Sequence, residues 1–75
     1  MKAAFPVLNG YMAMMGLSKN ELAAIIGCSK GTIVNKLNGI TEFRLCEAEI
    51  IWRFVNRWLT SHDKEKITFE ELFFV

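Results

Sequence analysis

The chain has 75 residues, 52% of them hydrophobic and 12% aromatic, and its formal net charge is +1. This length and composition exclude a disordered chain and leave room for one modest core in a single domain over residues 1–75. A net charge of +1 is too small to indicate by itself that the protein binds a polyanion. The chain has more apolar residues than one small core is expected to bury, which favours burial of the rest against a partner subunit, as in a homodimer.

The first predicted helix begins at Pro6, because a proline has no amide to satisfy in a first helical turn. Apolar residues recur after it at helical spacing, at Leu8, Tyr11, Met12 and Met15. Gly16 then supplies a stop signal, and Leu17 precedes the start of the next helix. We therefore expect helix one to end before Gly16.

Residues 18–39 predict two short helices joined by a turn of three or four residues at Gly27. Ser18 and Glu21 have the spacing of a capping box, Ser29 can cap the second helix, and Gly39 can end it. The buried stripe of this pair is expected at Leu22, Ala23, Ile26, Ile33 and Leu37. The outward side chains of the second helix are expected at Lys30, Gly31, Thr32, Val34, Asn35, Lys36 and Asn38. Cations, amides, hydroxyls and methyl groups of this kind are those that read base edges in DNA.

The longest helix is predicted over about residues 45–60, a run without proline or glycine that follows a loop ending near Phe43. One stripe has core spacing and comprises Leu45, Ala48, Ile51, Val55 and Leu59. A second stripe lies about a third of a turn away and comprises Ile50, Phe54 and Trp58. Two interpretations stay open: a single wide core face, or a core face beside a dimer seam.

The end of the chain predicts a polar connection over residues 60–66 and a short helix over about residues 69–73. The connection carries His62, which we expect to be solvated, and Thr68 with Glu71 repeats the capping-box spacing. Apolar residues dominate the last helix, namely Phe69, Leu72, Phe73 and Phe74. They either close the core or dock on a neighbouring chain.

The charges are divided unevenly along the chain. Residues 1–44 carry five cations and two anions, a net +3, whereas residues 45–75 carry four cations and six anions, a net −2. We expect the first part to face any bound polyanion and the second to face away, with a simply solvated arrangement as the alternative.

No chemistry-bearing constellation predicts an enzyme, a small-molecule substrate, a metal or a cofactor. Cys28 and Cys46 lack disulfide-framework or zinc-site spacing, so both are expected to be reduced and structural. The sequence shows no phosphate loop and no nucleophile with a base at recognisable spacing. No secretory signal or membrane-length apolar run is evident, which predicts a cytoplasmic protein without a membrane partner.

An ordered set of motifs resembles the lambda-repressor-like helix-turn-helix family, most closely its short Cro-like and phage-repressor members from bacteria and prophages. The set comprises Leu17-Ser18, Glu21-Leu22-Ala23, Gly27, Ser29 with Thr32-Ile33, Lys36-Leu37-Asn38-Gly39, Phe43-x-Leu45-x-Glu47-Ala48 and Leu72-Phe73-Phe74. The resemblance implies an all-α, compact domain of four to five helices whose second motif helix lies in the major groove of double-stranded DNA. Gly31 departs from the family, since relatives often carry a long polar side chain there.

The resemblance also implies roles for individual residues. The base-contacting set is Lys30, Gly31, Thr32, Val34 and Asn35, with Lys30 suited to guanine, Asn35 to adenine and Val34 to a thymine methyl group. The phosphate-contacting set is Ser18, Lys19, Lys36, Asn38 and Thr41. The alternatives are that Asn38 only caps the end of its helix and that Lys36 is simply solvated. The dimer interface is expected at Ile50, Phe54, Trp58, Phe73 and Phe74.

Two functions follow as hypotheses. The first is a dimeric, sequence-specific transcriptional regulator, most simply a repressor, on an operator of two-fold symmetry. The second is a protein-interaction module of antirepressor or antitoxin type that uses the apolar C-terminal half. The steep salt dependence of DNA binding distinguishes them.

Overall fold

The computed structural model describes residues 5–74, and that part of the chain forms five helices and no strand. The helices are α1 (Pro6–Met15), α2 (Lys19–Ile26), α3 (Lys30–Leu37), α4 (Leu45–Ser61) and α5 (Phe69–Phe73). The expected all-α class and five-helix order are therefore confirmed. Lys2, which contributes one of the cations counted above, lies outside the described residues.

The predicted caps form where the sequence places them. Ser18 Oγ accepts the amide hydrogen of Glu21 at 3.1 Å, and Glu21 Oε1 accepts that of Ser18 at 3.2 Å. Ser29 Oγ accepts from the Thr32 amide at 3.3 Å, and Thr68 with Glu71 repeats the capping box at α5. Each cap satisfies amides that the first helical turn leaves without a partner and contributes about 1 kcal/mol.

Gly27 ends α2 and sets the direction of α3. Its φ of 76° lies in the left-handed region, and the connection from Ile26 to Lys30 has three residues. A side chain with a Cβ is strained in that conformation, so glycine is the residue that permits so short a turn.

One core unites the five helices. α2 packs on α3 and on α4, while α5 packs on α1 and on α4. The most deeply buried side chains come from all five helices and include Leu8, Leu22, Ile33, Leu37, Ile51, Val55, Leu59 and Leu72. This arrangement fixes α3 in the fold through its two buried apolar residues, Ile33 and Leu37.

Two expectations about apolar residues are wrong. Leu45 is 68% exposed instead of buried, because it begins α4 at the rim of a groove that Phe43 and Phe74 also line. Phe73 is 7% exposed and packs edge-on against Phe5 and Phe43, with ring centroids 6.0 and 5.9 Å away. Phe73 therefore closes the core and is unavailable to a dimer interface.

A side-chain strap ties the connection after α4 back onto that helix. Asn56 Oδ1 accepts from the Ile67 amide at 2.9 Å, and Asn56 Nδ2 donates to the Ile67 carbonyl at 3.1 Å. Trp52 Nε1 donates to the same carbonyl at 2.8 Å. These bonds satisfy both backbone groups of a buried residue and orient α5 against α4.

In the part of the chain that the structure describes, no helix combines the length and apolar character that a membrane crossing requires.

Candidate nucleic-acid interface

The exposed residues of α3 are mostly polar. Lys30, Gly31, Thr32 and Asn35 are exposed, as is Asn38 at the C-cap. Residues three and four apart lie side by side on a helix, so Asn35 is the neighbour of both Gly31 and Thr32. Gly31, Thr32 and Asn35 therefore share one accessible side of α3, and Lys30 is exposed as the first residue of the helix. We call these four predicted base-contacting residues the α3 ridge: Lys30, Gly31, Thr32 and Asn35.

Val34 is the member of the predicted base-contacting set that departs from the ridge. Its side chain is half-buried and packs against the core instead of pointing outward. The position lies three residues before the buried Leu37, so the two side chains share one side of α3. Only part of its methyl surface is left for a partner.

The first turn of α3 is held rigidly. Ser29 Oγ lies 2.9 Å from Thr32 Oγ1, so the two hydroxyls form a hydrogen bond in addition to the cap. Lys30, between them, makes no ion pair within residues 5–74. The start of the ridge thus offers an unneutralised ammonium group beside ordered hydroxyls, a combination suited to a base edge or a phosphate.

Gly31 lies in ordinary helical backbone and has open space around it. A Cβ built there meets nothing within 4 Å. Neither packing nor a left-handed conformation requires glycine at this position, although glycine costs a helix about 1 kcal/mol relative to alanine. The missing side chain lets another molecule approach the α3 backbone closely.

Asn35 supports the following loop through its backbone and leaves its side chain free. Its carbonyl accepts from the Ile40 amide at 2.9 Å and from the Thr41 amide at 3.4 Å. The side chain is exposed, which leaves the donor and acceptor of the amide available for the paired hydrogen bonds that recognise adenine.

The predicted phosphate-contacting residues divide into two groups. Ser18, Lys19, Asn38 and Thr41 are all exposed, at the start of α2 and just after α3. Lys36 is different, because it is buried to 7% exposure, and its Nζ lies 2.5 Å from Glu47 Oε1. The expected outward orientation of Lys36 is wrong.

Lys36 instead joins α3 to the start of α4. Besides the ion pair, its ammonium group donates to the Glu42 carbonyl at 3.4 Å and lies 5.8 Å from the centre of the Phe43 ring. The aliphatic stem runs along the apolar surface while the charged end reaches Glu47, as long cationic side chains commonly do. Lys36 is therefore corrected from a phosphate ligand to a structural residue.

The groups around Glu47 shift the pKa of its carboxyl group. Partial burial raises the pKa of its carboxyl group, but hydrogen bonds from Lys36 and the Arg44 amide, with the charges of Lys36 and Arg44, outweigh that effect. The pKa of Glu47 therefore lies below its ordinary value. A negative charge persists there at neutral pH and neutralises Lys36.

That ion pair also changes the charge balance. Without Lys36, residues 1–44 retain four cations against Glu21 and Glu42, a net +2 in place of +3. The strong positive field expected over this part of the chain is reduced. Attraction to a polyanion then depends on Lys19 and Lys30, the exposed first residues of α2 and α3.

The predicted dimer residues do not form one exposed seam. Phe73 is in the core, and Trp58 packs against the core while stacking on His62 with ring centroids 4.0 Å apart. Phe54 is half-buried, whereas Ile50 is 41% and Phe74 is 76% exposed. Ile50 and Phe74 are the members of the predicted set that remain open to a partner.

His62 and the two cysteines form no metal-binding group in the described residues. No group of three His, Cys, Asp or Glu side chains there is placed to hold a metal ion. Cys28 is half-buried beside the core and Cys46 is exposed, both as free thiols.

Comparison of the chain with protein-family models, curated proteins and solved structures found no match.

Two features of the site were missed from the sequence. The Lys36–Glu47 pair joins residues eleven positions apart, on two helices. The spacing of Arg44 and Glu47 carried a partial signal, since Glu47 Oε1 accepts the Arg44 amide at 2.9 Å as in a capping box. The Asn56–Ile67 strap has no such local signal.

Proposed function

We propose that the chain is a sequence-specific DNA-binding regulator of transcription, most simply a repressor, in which α2 and α3 act as a helix-turn-helix. The α3 ridge carries this proposal. It has a hydroxyl, a bare backbone position and a free amide along one side of a helix, with a free cation at the first residue, and these are the groups suited to base edges in the major groove.

The start of α2 supports the same proposal. Ser18 and Lys19 are exposed there, and the amides of a first helical turn carry a partial positive charge that favours a phosphate. Asn38 and Thr41 are exposed after α3, so groups suited to phosphate lie before and after the ridge in the chain. Contacts of this kind set the position of a recognition helix and carry no sequence information.

Two copies of the chain are part of the proposal. A ridge of four residues reads few base pairs, and pairing two ridges about a two-fold axis reads two half-sites roughly 34 Å apart. Exposed Phe74 and Leu45 line the same groove, and Ile50 is exposed on α4. These residues replace the buried Phe73 in the dimer interface that we propose.

Exposed apolar residues also favour a second function. Phe74, Ile40 and Leu45 are each more than two thirds exposed, which suits a protein-interaction module of antirepressor or antitoxin type. Docking of that kind is largely apolar, so it is insensitive to salt, whereas DNA binding weakens steeply as salt is added.

The test is selection of preferred sites from random DNA duplexes at low salt, followed by affinity measurements on ridge variants. We expect a two-fold symmetric motif to be enriched. Lys30→Ala and Asn35→Ala should each cost about 1–3 kcal/mol on that motif and relax the preference at one position of each half-site.

Lys64→Ala is the matched control, because Lys64 is exposed and lies outside α2 and α3. It should leave the preferred motif unchanged. Absence of any enriched motif at low salt would refute the proposal, as would full affinity in both ridge variants.

A further inference from the structure

The C-terminal half holds a basic groove on the side of α4 that faces away from the core. The groove has a volume of about 560 Å³, and Arg53, Arg57 and Lys66 line it. Arg53 and Arg57 each follow a buried core residue by two positions, Ile51 and Val55, which turns them about 200° from the core. All three cations are exposed.

These cations are poorly neutralised within the described chain. Arg57 and Lys66 make no ion pair within residues 5–74, and Arg53 lies 3.9 Å from Glu49 with both side chains largely exposed. An ion pair of that kind contributes little. No carboxylate lines the groove, although the chain beyond residue 44 is acidic in total. The groove is therefore a local positive surface in an acidic half.

The remaining lining groups suit phosphate better than protein. Thr60 and Ser61 add hydroxyls, and hydroxyls beside guanidinium groups are common ligands of nucleic-acid phosphates. Arg53 and Arg57 are four residues apart, a rise of about 6 Å along α4, which spans roughly two phosphates at about 3.4 Å per nucleotide of one strand.

Within residues 5–74, Trp52 is the one aromatic side chain that lines the groove, and no aliphatic side chain lines it. Trp52 is half-buried, and its indole N–H is already donated to the Ile67 carbonyl. The Asn56 side chain is also held by Ile67. Interfaces between proteins draw most of their affinity from buried aromatic and aliphatic anchors, which this surface does not offer.

We propose that this basic groove is a second nucleic-acid site, which holds the phosphate backbone of a DNA duplex without reading its bases. It lies on α4 and the connection after it, whereas the α3 ridge lies on another helix. In this proposal a duplex in the groove is a second segment, so the protein would bridge two segments of DNA.

The test is the salt dependence of affinity for a short duplex of mixed sequence, between about 50 and 200 mM salt. Lys66→Gln and Lys64→Gln form a matched pair, since both residues are exposed lysines of one connection and only Lys66 lines the groove. We expect Lys66→Gln, and likewise Arg57→Gln, to make the slope of log affinity against log salt less steep by about 0.9, the value for one lost phosphate contact. Lys64→Gln should leave the slope unchanged.

Arg57→Lys separates geometry from charge, because lysine keeps the charge and loses the two-pronged contact of arginine. We expect it to weaken binding less than Arg57→Gln does while keeping the slope. Circular dichroism and thermal unfolding establish that each variant is folded, as the exposed positions lead us to expect.

Three results would overturn the proposal: equal losses in Lys64→Gln and Lys66→Gln, no loss in Lys66→Gln and Arg57→Gln, or Lys66-dependent binding of polyglutamate as tight as that of the duplex. A Lys30→Ala and Asn35→Ala variant is measured in parallel. If it keeps full affinity and site preference while the groove variants lose affinity, the regulator proposal fails and the groove proposal stands; the reverse pattern refutes the groove alone.

Discussion

At the scale of single residues, one ion pair fixes where α3 meets α4. Lys36 is nearly buried, and Glu47 has a side chain that is 15% exposed, so each charge depends on the other. Removing one partner of such a pair leaves an uncompensated charge in a poorly solvated position. The pair therefore holds the α3 ridge in place without lying on it.

We expect Lys36→Met to lower the free energy of unfolding at neutral pH by about 2–3 kcal/mol, measured by urea denaturation. Arg53→Met is the control, because it removes the exposed partner of Glu49 and should cost less than about 0.5 kcal/mol. Equal losses in the two variants would show that the Lys36–Glu47 pair is no stronger than an exposed one.

The same pair makes stability depend on pH. The pKa of Glu47 is lowered in the folded protein, whereas the unfolded chain has the ordinary glutamate value of about 4.3. Its contribution is complete above the unfolded value and is lost as pH falls below it through the lowered folded value. The Lys36→Met variant should show a shallower loss over this window, and a slope equal to that of the unaltered protein would contradict this assignment.

At the scale of elements, α3 is a helix with a weak point on its exposed side. Its caps and its buried pair, Ile33 and Leu37, stabilise it, while Gly31 destabilises it. Gly10 in α1 is a matched case, since it is also helical and exposed and a Cβ there meets nothing within 4 Å. The two glycines differ in that Gly31 lies on the α3 ridge.

Alanine should therefore stabilise both helices by about 0.5–1 kcal/mol, but only the change in α3 should affect DNA binding. We expect Gly31→Ala to weaken binding to the selected DNA site, because the new methyl group occupies the space left for a close approach. Gly10→Ala should leave that affinity unchanged. If Gly31→Ala binds as tightly as the unaltered protein, the close approach at Gly31 is refuted.

The helix ends show how far local sequence determines an element. The spacings of Ser18 with Glu21 and of Thr68 with Glu71 predict caps that form as expected, because capping bonds join residues three positions apart. The strap from Asn56 to Ile67 joins residues eleven positions apart, so its partners meet only after α4 and the connection have folded. No local pattern distinguishes such an asparagine from an exposed one.

At the scale of the whole molecule, a single chain buries only part of its large apolar side chains. Phe73 joins Phe5 and Phe43 in a set of edge-on contacts, yet Phe74 remains 76% exposed beside Leu45. The two interpretations of α4, one wide core face or a core face beside a dimer seam, therefore each hold for part of the second stripe. Trp58 packs on the core, whereas Ile50 stays exposed.

We expect the protein to associate with itself, and Phe74→Ser to raise the dissociation constant by about tenfold or more, since burying such a side chain contributes about 1.5–3 kcal/mol. Sedimentation equilibrium over a range of concentrations measures this. Ile40→Ser is the matched control, because Ile40 is 71% exposed but does not line the groove with Phe74. A protein that stays monomeric throughout, or equal effects of both changes, would refute this surface.

Local patterns were enough to predict the all-helical class, the helix order and the caps, since these depend on periodicity and on bonds between near neighbours. They also predicted that Thr32 and Asn35 lie on the exposed side of α3, as the buried positions of Ile33 and Leu37 require. Only the tertiary structure decided that Lys36 is buried against Glu47, that Phe73 closes the core and that Arg53, Arg57 and Lys66 share a groove. Those outcomes depend on which distant elements meet, and a single sequence pattern does not contain that information.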